Sequence, residues 1–195
     1  MRIIGTVGLP GSGKSEAAAV ARTLDIPVVT MGDVIREVCR NRGYDPAEDH
    51  GTVAKSLREE EGPAAIAERS LPIIEAKLEA NETVLVDGLR SDTELDCFRD
   101  AFGDNFVLVS IEAPFESRAE RLSERGRDET DIDKTALRKR EERELGFGMG
   151  TAMDRADVVI QNTESLSEFH ERIQQFLTRR VVDTTEHADQ RQRTQ

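Results

Sequence analysis

The sequence predicts an α/β fold in which helices cover both faces of a parallel β-sheet. Short apolar runs rich in β-branched residues alternate with longer stretches of helical composition. Strands that alternate with helices in this way pair in parallel and are buried on both faces. The runs expected to form strands are 2–7, 26–30, 83–86, 106–111 and 158–160.

The first strand and the first helix are the most clearly marked elements. The run Arg2–Val7 is apolar and ends at a glycine. The alanine-rich stretch Lys14–Thr23 has helical composition and leads to the second apolar run, 26–30. This strand–helix–strand order is the repeating unit of a parallel sheet.

Two long polar segments interrupt the alternation. The first, 33–82, is expected to form a small helical lobe. Its helical patterning covers 34–41, 53–61 and 64–80. The second, 118–154, is dense in Arg and Glu, a character shared by mobile lids and by plain solvated helices. It closes with alternate glycines from Gly146 to Gly150, which predict a flexible turn.

The last predicted helix, 166–180, presents one apolar face that is most simply part of the core. The residues at this spacing are Phe169, Ile173 and Phe176. Ser165 or Ser167 is expected to cap its N-terminus.

The length of 195 residues fits one hydrophobic core. We expect a single domain over 1–182. Residues 183–195 offer no apolar face and are expected to form a disordered tail.

The composition is strongly acidic. With 27 basic and 39 acidic residues, the formal net charge is -12. Such a surface repels nucleic-acid phosphate, so general nucleic-acid binding is disfavoured. The acidic, lysine-poor composition is typical of proteins from salt-loving archaea, and ordinary acidic cytosolic proteins share it.

Other sequence features indicate a cytoplasmic protein. Cys39 and Cys97 lack metal-ligand spacing, which suits free thiols in a reducing compartment. No apolar run approaches the roughly 18 residues of a membrane span, and the chain enters a strand without a leader-like segment. The histidines, His50, His170 and His187, have no partner at metal spacing and receive no role.

The strongest motif matches GxxxxGK[ST] between a buried strand and a helix, as phosphate binding requires. Its residues are Gly8, Leu9, Pro10, Gly11, Ser12, Gly13, Lys14 and Ser15. The glycines let backbone N–H groups curl around phosphate, and the helix N-terminus adds positive potential. Lys14 is expected to reach the β/γ oxygens and Ser15 to bind magnesium. A chance glycine-rich turn would not need this Lys-Ser pair. The motif therefore predicts ATP with Mg²⁺ as cofactors.

Further segments resemble the P-loop nucleoside monophosphate kinases. Residues 30–36 read Thr-Met-Gly-Asp-Val-Ile-Arg, similar to the family's Thr-x-Gly-Asp-x-x-Arg. Residues 84–90 read Val-Leu-Val-Asp-Gly-Leu-Arg, which resembles its third strand, and 112–128 resemble its fourth strand and Arg-bearing lid. More closely, the chain is similar to archaeal proteins related to adenylate kinase and dephospho-CoA kinase whose acceptor is unassigned.

This resemblance implies a P-loop NTPase three-layer sandwich. It implies a five-stranded parallel sheet in the order 2-3-1-4-5, with a helical acceptor lobe and an Arg-rich lid. The chain departs from the adenylate kinase pattern, because Asp-Gly-x-Pro-Arg lacks its proline here and the lid has no Cys quartet for zinc. We therefore expect a different acceptor pocket.

Two carboxylates are candidates at the ends of predicted strands. Asp87 is expected to hold magnesium directly or through water, and an Asp that caps the next turn is the alternative. Asp33 is expected to accept a hydroxyl proton or to orient magnesium-bound water, a role that the dephospho-CoA kinase resemblance also implies. Its alternative is an acid in the first turn of a helix.

Arginines are candidates on the acceptor and lid sides. Arg36 and Arg90 are expected to bind an acceptor phosphate through paired hydrogen bonds. The lid candidates for the transferring phosphoryl group are Arg121, Arg125 and Arg127. Exposed Arg–Glu pairs are the alternative for this cluster. By resemblance, Asn162 is expected to contact the adenine.

These features predict an enzyme that moves the γ-phosphoryl of ATP to a small nucleotide-like acceptor, a nucleoside monophosphate or dephospho-CoA type. The alternative is a nucleotide-dependent switch or slow ATPase that acts through a protein partner. Transfer to an RNA end is disfavoured by the charge. Monomer and homodimer both remain open.

Overall fold

The computed structural model describes residues 1–125 and 133–179. Its strands form one five-stranded sheet in the order β2-β3-β1-β4-β5, and every neighbouring pair is parallel. This confirms the order implied by the resemblance. The strands are β1 (Arg2–Val7), β2 (Val28–Thr30), β3 (Thr83–Asp87), β4 (Phe106–Glu112) and β5 (Val158–Gln161).

Helices connect the strands. They are α1 (Lys14–Thr23), α2 (Met31–Asn41), α3 (His50–Glu61), α4 (Ala65–Leu78), α5 (Asp92–Phe102), α6 (Phe115–Arg125), α7 (Lys134–Glu144), α8 (Gly150–Asp154) and α9 (Leu166–Thr178). A short 3-10 turn, Gly103–Asn105, precedes β4, and a π-helical turn, Leu145–Met149, joins α7 to α8. No helix among residues 1–125 and 133–179 is long and apolar enough to cross a membrane.

The sheet separates two apolar layers. Alternate residues of β1 point to opposite faces, so Ile3 packs with α2 to α5 and α8, whereas Ile4 packs with α1 and α9. Phe169 and Ile173 of α9 are buried in the second layer, as their spacing predicted. Both faces of the central strand are thereby covered, and the carboxyl ends of β1, β2 and β3 are left to form a site.

Two element boundaries differ from the predictions. β2 begins at Val28 instead of residue 26, because Ile26 still donates its N–H to the carbonyl of Ala21 at the end of α1. α2 begins at Met31, directly after β2, and not at residue 34. The loop between strand and helix is therefore absent at this point, and the motif 30–36 lies in the first turns of α2.

The C-terminal part shows two further outcomes. Of the two candidate serines, Ser165 is the N-cap of α9, in a reciprocal capping box with Glu168. The glycine-rich segment predicted as a flexible turn forms the turn between α7 and α8, which is kinked at Gly148, where φ is 93° and not helical. Met149 of the turn is buried against the core. The expected disordered tail, 183–195, lies outside the described residues.

Candidate functional site

The glycine-rich loop lies where its sequence predicted, between β1 and α1. Gly13 is the residue before α1 and has a φ of 114°, in the left-handed region. A Cβ on Gly13 would lie 2.4 Å from the Asn162 side chain and 3.1 Å from the Phe169 ring. Both the backbone conformation and the close approach therefore require glycine here.

Lys14 is turned into the loop. Its Nζ donates hydrogen bonds to the backbone carbonyls of Gly8 and Leu9, the latter at 3.2 Å. Burial lowers the pKa of Lys14 to about 8, while the negative charges of Asp87 and Glu144 oppose this shift. An incoming phosphate would replace carbonyl oxygens with charged oxygens and favour the protonated amine.

Ser15 and Asp87, the residues predicted to bind magnesium, line the same cleft as Lys14. Ser15 is exposed in the first turn of α1. Asp87 ends β3 opposite Thr6, whose hydroxyl donates to Asp87 Oδ1 at 2.9 Å. Magnesium prefers hard oxygen ligands and takes many of them from phosphate and water, so one hydroxyl and one oriented carboxylate fit it.

Asn162, just after β5, is hydrogen-bonded to the glycine-rich loop. Its Nδ2 donates to the Ser12 carbonyl at 2.8 Å, and the residue is 5% exposed. Arg121 of α6 donates to the backbone carbonyl of Asn162 at 3.0 Å and to its Oδ1 at 3.3 Å. Both predicted site residues therefore contact the loop or its support, and neither lines the cleft described below.

Arg118 makes a second connection between the loop and the helices that follow β4. It is buried, and its guanidinium donates to the Pro10 carbonyl at 3.2 Å, to the Ala113 carbonyl at 2.9 Å and to the Glu141 carboxylate. Of the remaining lid candidates, Arg125 ends α6 with its side chain outside the described part of the structure, and Arg127 lies outside the described residues.

A cleft of about 310 Å³ opens beside the loop, between the ends of β2 and β3 and helices α2, α3 and α7. Its charged lining residues are Lys14, Arg36, Arg58, Arg90 and Arg140 as cations, and Asp87, Glu94 and Glu144 as carboxylates. The cations outnumber the carboxylates although the whole chain has a net charge of -12. The cleft is thus locally positive although the chain as a whole is acidic.

The structure joins the predicted residues Asp33 and Arg36. Arg36 donates from Nε at 2.9 Å and from Nη2 at 2.6 Å to the same Asp33 oxygen. Asp33 lies in the first turn of α2 with 67% of its side chain exposed, and it is not among the residues that line the cleft. Its position is that of the helix-initiating alternative.

Arg90 is held from the other side of the cleft. Arg90 Nη1 lies 3.4 Å from Glu144 Oε1, and Arg140 Nε donates to the same oxygen at 3.2 Å. Glu144 and Arg140 both belong to α7, the helix that returns from the predicted lid. This cluster connects the loop after β3 with α7.

Glu94 binds two cleft residues at once. It is completely buried in α5, where its Oε1 accepts from Arg58 Nη2 at 2.9 Å and its Oε2 from the Arg90 backbone N–H at 2.8 Å. Sequence reasoning missed both Glu94 and Arg58. A signal was available for the first, because Ser91 and Glu94 have the Ser-x-x-Glu spacing of a helix start, and Ser91 is indeed the N-cap of α5.

His50, which received no role, also lines the cleft at the start of α3. Burial lowers the pKa of its imidazole, and the positive charges of nearby arginines lower it further, while the backbone of Gly32 opposes the shift. The ring is therefore neutral near pH 7. A lone histidine without ligand spacing offered no signal in the sequence.

Comparison with protein families identifies the fold's relatives. The family model described as an AAA domain matches residues 4–146. A UPF0200 protein of Halobacterium salinarum is 58% identical over 177 residues, which cover 91% of this chain and 93% of that protein. The chain belongs to the UPF0200 family.

Solved structures similar to this UPF0200 chain are less than 25% identical and show the fold alone. Thermus thermophilus TT1252 has a TM-score of 0.63 at 20% identity, over 90% of this chain and 96% of that one. A gluconokinase from Sinorhizobium meliloti has a TM-score of 0.56 at 20% identity, over 90% and 91%. A shikimate kinase from Bacteroides thetaiotaomicron has a TM-score of 0.54 at 18% identity, over 90% and 98%.

The UPF0200 chain therefore has a nucleotide-binding P-loop domain of kinase-like fold. In this fold, ligands bind in the crevice at the carboxyl ends of the strands. The cleft beside Lys14 lies at that edge.

Proposed function

We propose that this protein is an ATP-dependent phosphotransferase that moves the γ-phosphoryl of ATP to a small nucleotide-like acceptor, of the nucleoside monophosphate or dephospho-CoA type. Magnesium would be the metal cofactor. The observation that carries the proposal is the cationic cleft next to the P-loop. A switch or slow ATPase would leave Arg36 and Arg90, which lie on the acceptor side of the cleft, without a ligand.

On the ATP side, Lys14 and the backbone N–H groups of the loop would bind the β- and γ-phosphates. Ser15 and Asp87 would hold Mg²⁺, which neutralises charge on the phosphates when bound. Thr6 would keep the Asp87 carboxylate oriented through its hydrogen bond. These residues lie on the ends of β1, β3 and α1, so the sheet itself sets their spacing.

On the acceptor side, Arg36 and Arg90 would bind an anionic group. For an acceptor whose nucleophile is a hydroxyl, Asp33 is the proposed proton acceptor, and it would have to leave Arg36 to reach the cleft. For an acceptor whose nucleophile is a phosphate oxygen, no base is needed. Because the ion pair with Arg36 keeps Asp33 out of the cleft, it favours an acceptor whose nucleophile is a phosphate oxygen.

The lid arginines Arg121, Arg125 and Arg127 are proposed to neutralise charge on the transferring phosphoryl group. In the structure Arg121 is bonded to Asn162, so it would act on the nucleotide only after a rearrangement. Closure over both substrates would also exclude water and suppress hydrolysis of ATP.

The free thiols of Cys39 and Cys97 are consistent with our expectation of a reducing, cytoplasmic location.

The test is a coupled assay of ADP release in high potassium chloride, with ATP and magnesium, against nucleoside monophosphates, dephospho-CoA and buffer alone. We expect strong stimulation by one acceptor. Slow release that is indifferent to every acceptor would contradict transfer and favour the switch or slow ATPase.

Lys14→Ala should abolish the stimulated rate with an unchanged circular dichroism spectrum, because the amine contacts the transferring group. Lys55→Ala is the matched control, since Lys55 is an exposed lysine of α3 whose partner is Glu59. Normal turnover by Lys14→Ala would contradict the phosphate-binding role.

A further inference from the structure

We propose that Arg58, positioned by the buried carboxylate of Glu94, is an acceptor-binding residue, and that the acceptor carries an anionic oxygen group, a phosphate or a carboxylate. The inference rests on the proposed function, because it concerns the acceptor side of the same cleft. It adds two residues, Arg58 and Glu94, that neither the motifs nor the family match assigns.

Glu94 connects two parts of the cleft wall. Its two oxygens bind two different parts of the chain, the guanidinium of Arg58 on α3 and the backbone N–H of Arg90 after β3. Glu94 therefore fixes the distance between α3 and the loop that presents Arg90. A carboxylate in the first turn of α5 also lies in the favourable potential of the helix N-terminus.

The Glu94 carboxylate is completely buried. Removal of a carboxylate from water is costly and is tolerated when both oxygens are bonded. For comparison, Arg69 of α4 and Glu61 at the end of α3 form an ion pair at 2.6 Å with 42% and 36% of their side chains exposed. That pair lies outside the cleft lining and needs no burial. The buried pair thus holds a guanidinium at one defined place beside the cleft.

The Arg58 guanidinium is accessible from the cleft. Its side chain keeps 31% of its surface exposed and lines the cleft together with Arg36 and His50. Of the five N–H donors of a guanidinium, the structure uses one for Glu94 and one, at 3.4 Å, for the Ala54 carbonyl. The remaining donors suit the oxygens of a phosphate or carboxylate.

The experiment measures anion binding directly. Protein saturated with magnesium and a non-hydrolysable ATP analogue, which fills the P-loop, is titrated calorimetrically with inorganic phosphate and, separately, with acetate. We expect saturable binding of one of them, weakened about tenfold by Arg58→Gln and by Glu94→Gln, as loss of one charge-assisted contact implies. Arg69→Gln and Glu61→Gln, the exposed matched pair, should leave the affinity unchanged.

The two probes distinguish the source of the anionic group. Phosphate binding that depends on Arg58 identifies a phosphorylated acceptor, and acetate binding identifies a carboxylate. Absence of binding for both probes, or binding unaffected by Arg58→Gln in a folded protein, overturns the proposal. Thermal melts of each variant test folding. If Glu94→Gln is too unstable to measure, Arg58→Lys takes its place. This variant keeps the charge and should bind the anion more tightly than Arg58→Gln does.

Turnover separates this proposal from the proposed function. With the acceptor found in the coupled assay, Arg58→Gln should raise KM for the acceptor about tenfold and leave KM for ATP unchanged. Arg58-dependent phosphate binding without any stimulated turnover would retain the anion site and reject the kinase. Stimulated turnover with KM values indifferent to Arg58 would reject the anion site and retain the kinase.

Discussion

The side-chain amide of Asn162 donates a hydrogen bond of 2.8 Å to the backbone carbonyl of Ser12, although 150 residues separate them. This bond ties the loop after β5 to the middle of the phosphate-binding loop. The same side chain prevents any Cβ at Gly13, whose added carbon would lie 2.4 Å from Asn162 Nδ2. The shape of the P-loop therefore depends on a residue near the C-terminal end of the sheet.

Asn162→Ala should destabilise the protein by about 1–3 kcal/mol, because it leaves a buried carbonyl without its donor. Nucleotide affinity should fall as well, since the loop loses its support. Chemical denaturation and titration with a fluorescent ATP analogue measure the two effects. Gln161→Ala, at the exposed neighbouring position, is the control and should alter neither. Unchanged stability of Asn162→Ala would show that the loop holds its shape alone.

Nucleotide affinity should decrease as pH rises through about 8, the pKa to which burial lowers Lys14. The protonated amine binds phosphate, so the folded protein must be charged at this position to bind well. Affinity should be nearly constant below that pH and weaken by up to about tenfold per unit above it, where the phosphates of the nucleotide stay ionised. Titrations across this range test the expectation. Lys14→Arg, whose charge does not titrate there, should bind without this slope.

Gly148→Ala should destabilise the protein by about 1–3 kcal/mol, since alanine is strained in the left-handed region. Gly148 has a φ of 93°, and a Cβ there would lie 2.4 Å from Asp92 Oδ1. Gly146→Ala is the matched control, because a Cβ there would meet no atom within 4 Å apart from its own chain neighbours and helix backbone. Thermal denaturation of the two variants decides. Equal melting temperatures would contradict the tight packing of this turn against α5.

Potassium chloride should raise the melting temperature. A net charge of -12 on 195 residues repels itself, and salt screens this repulsion. The Debye length falls from about 10 Å at 0.1 M to about 3 Å at 1 M, so most of the gain should occur below that concentration. Each kcal/mol should add about 2–4 °C for a chain of this size. A flat or falling melting temperature would reject self-repulsion as the dominant surface effect.

Local patterns predicted the scaffold of the site. The P-loop, the strand that ends at Asp87 and the position of Arg90 follow from short motifs whose residues are close in sequence. Their backbone geometry is set locally by glycine conformation and by strand ends, so the sequence carries it. The strand order itself came from the resemblance.

The side-chain partners could not be predicted in the same way. Arg58 stands in a run of charged residues on α3, where nothing in the spacing separates a cleft residue from a solvated one. Its partner Glu94 is 36 residues away, and the pair forms only in the folded chain, where α3 and the start of α5 both reach the cleft. For Asp33 the motif was clear in the sequence, but the motif did not reveal that its side chain is exposed and paired with Arg36.

The carboxylate of Glu144, between Arg90 and Arg140, has a consequence for any ligand of the cleft. The protein carries its own counter-ion here, and this carboxylate offsets part of the repulsion between Arg90 and Arg140. A phosphate bound by Arg90 or Arg140 would compete with the Glu144 carboxylate for the same donors. The loss of the Glu144 contacts would be subtracted from the binding energy, so a multiply charged anion should bind here better than a monovalent one.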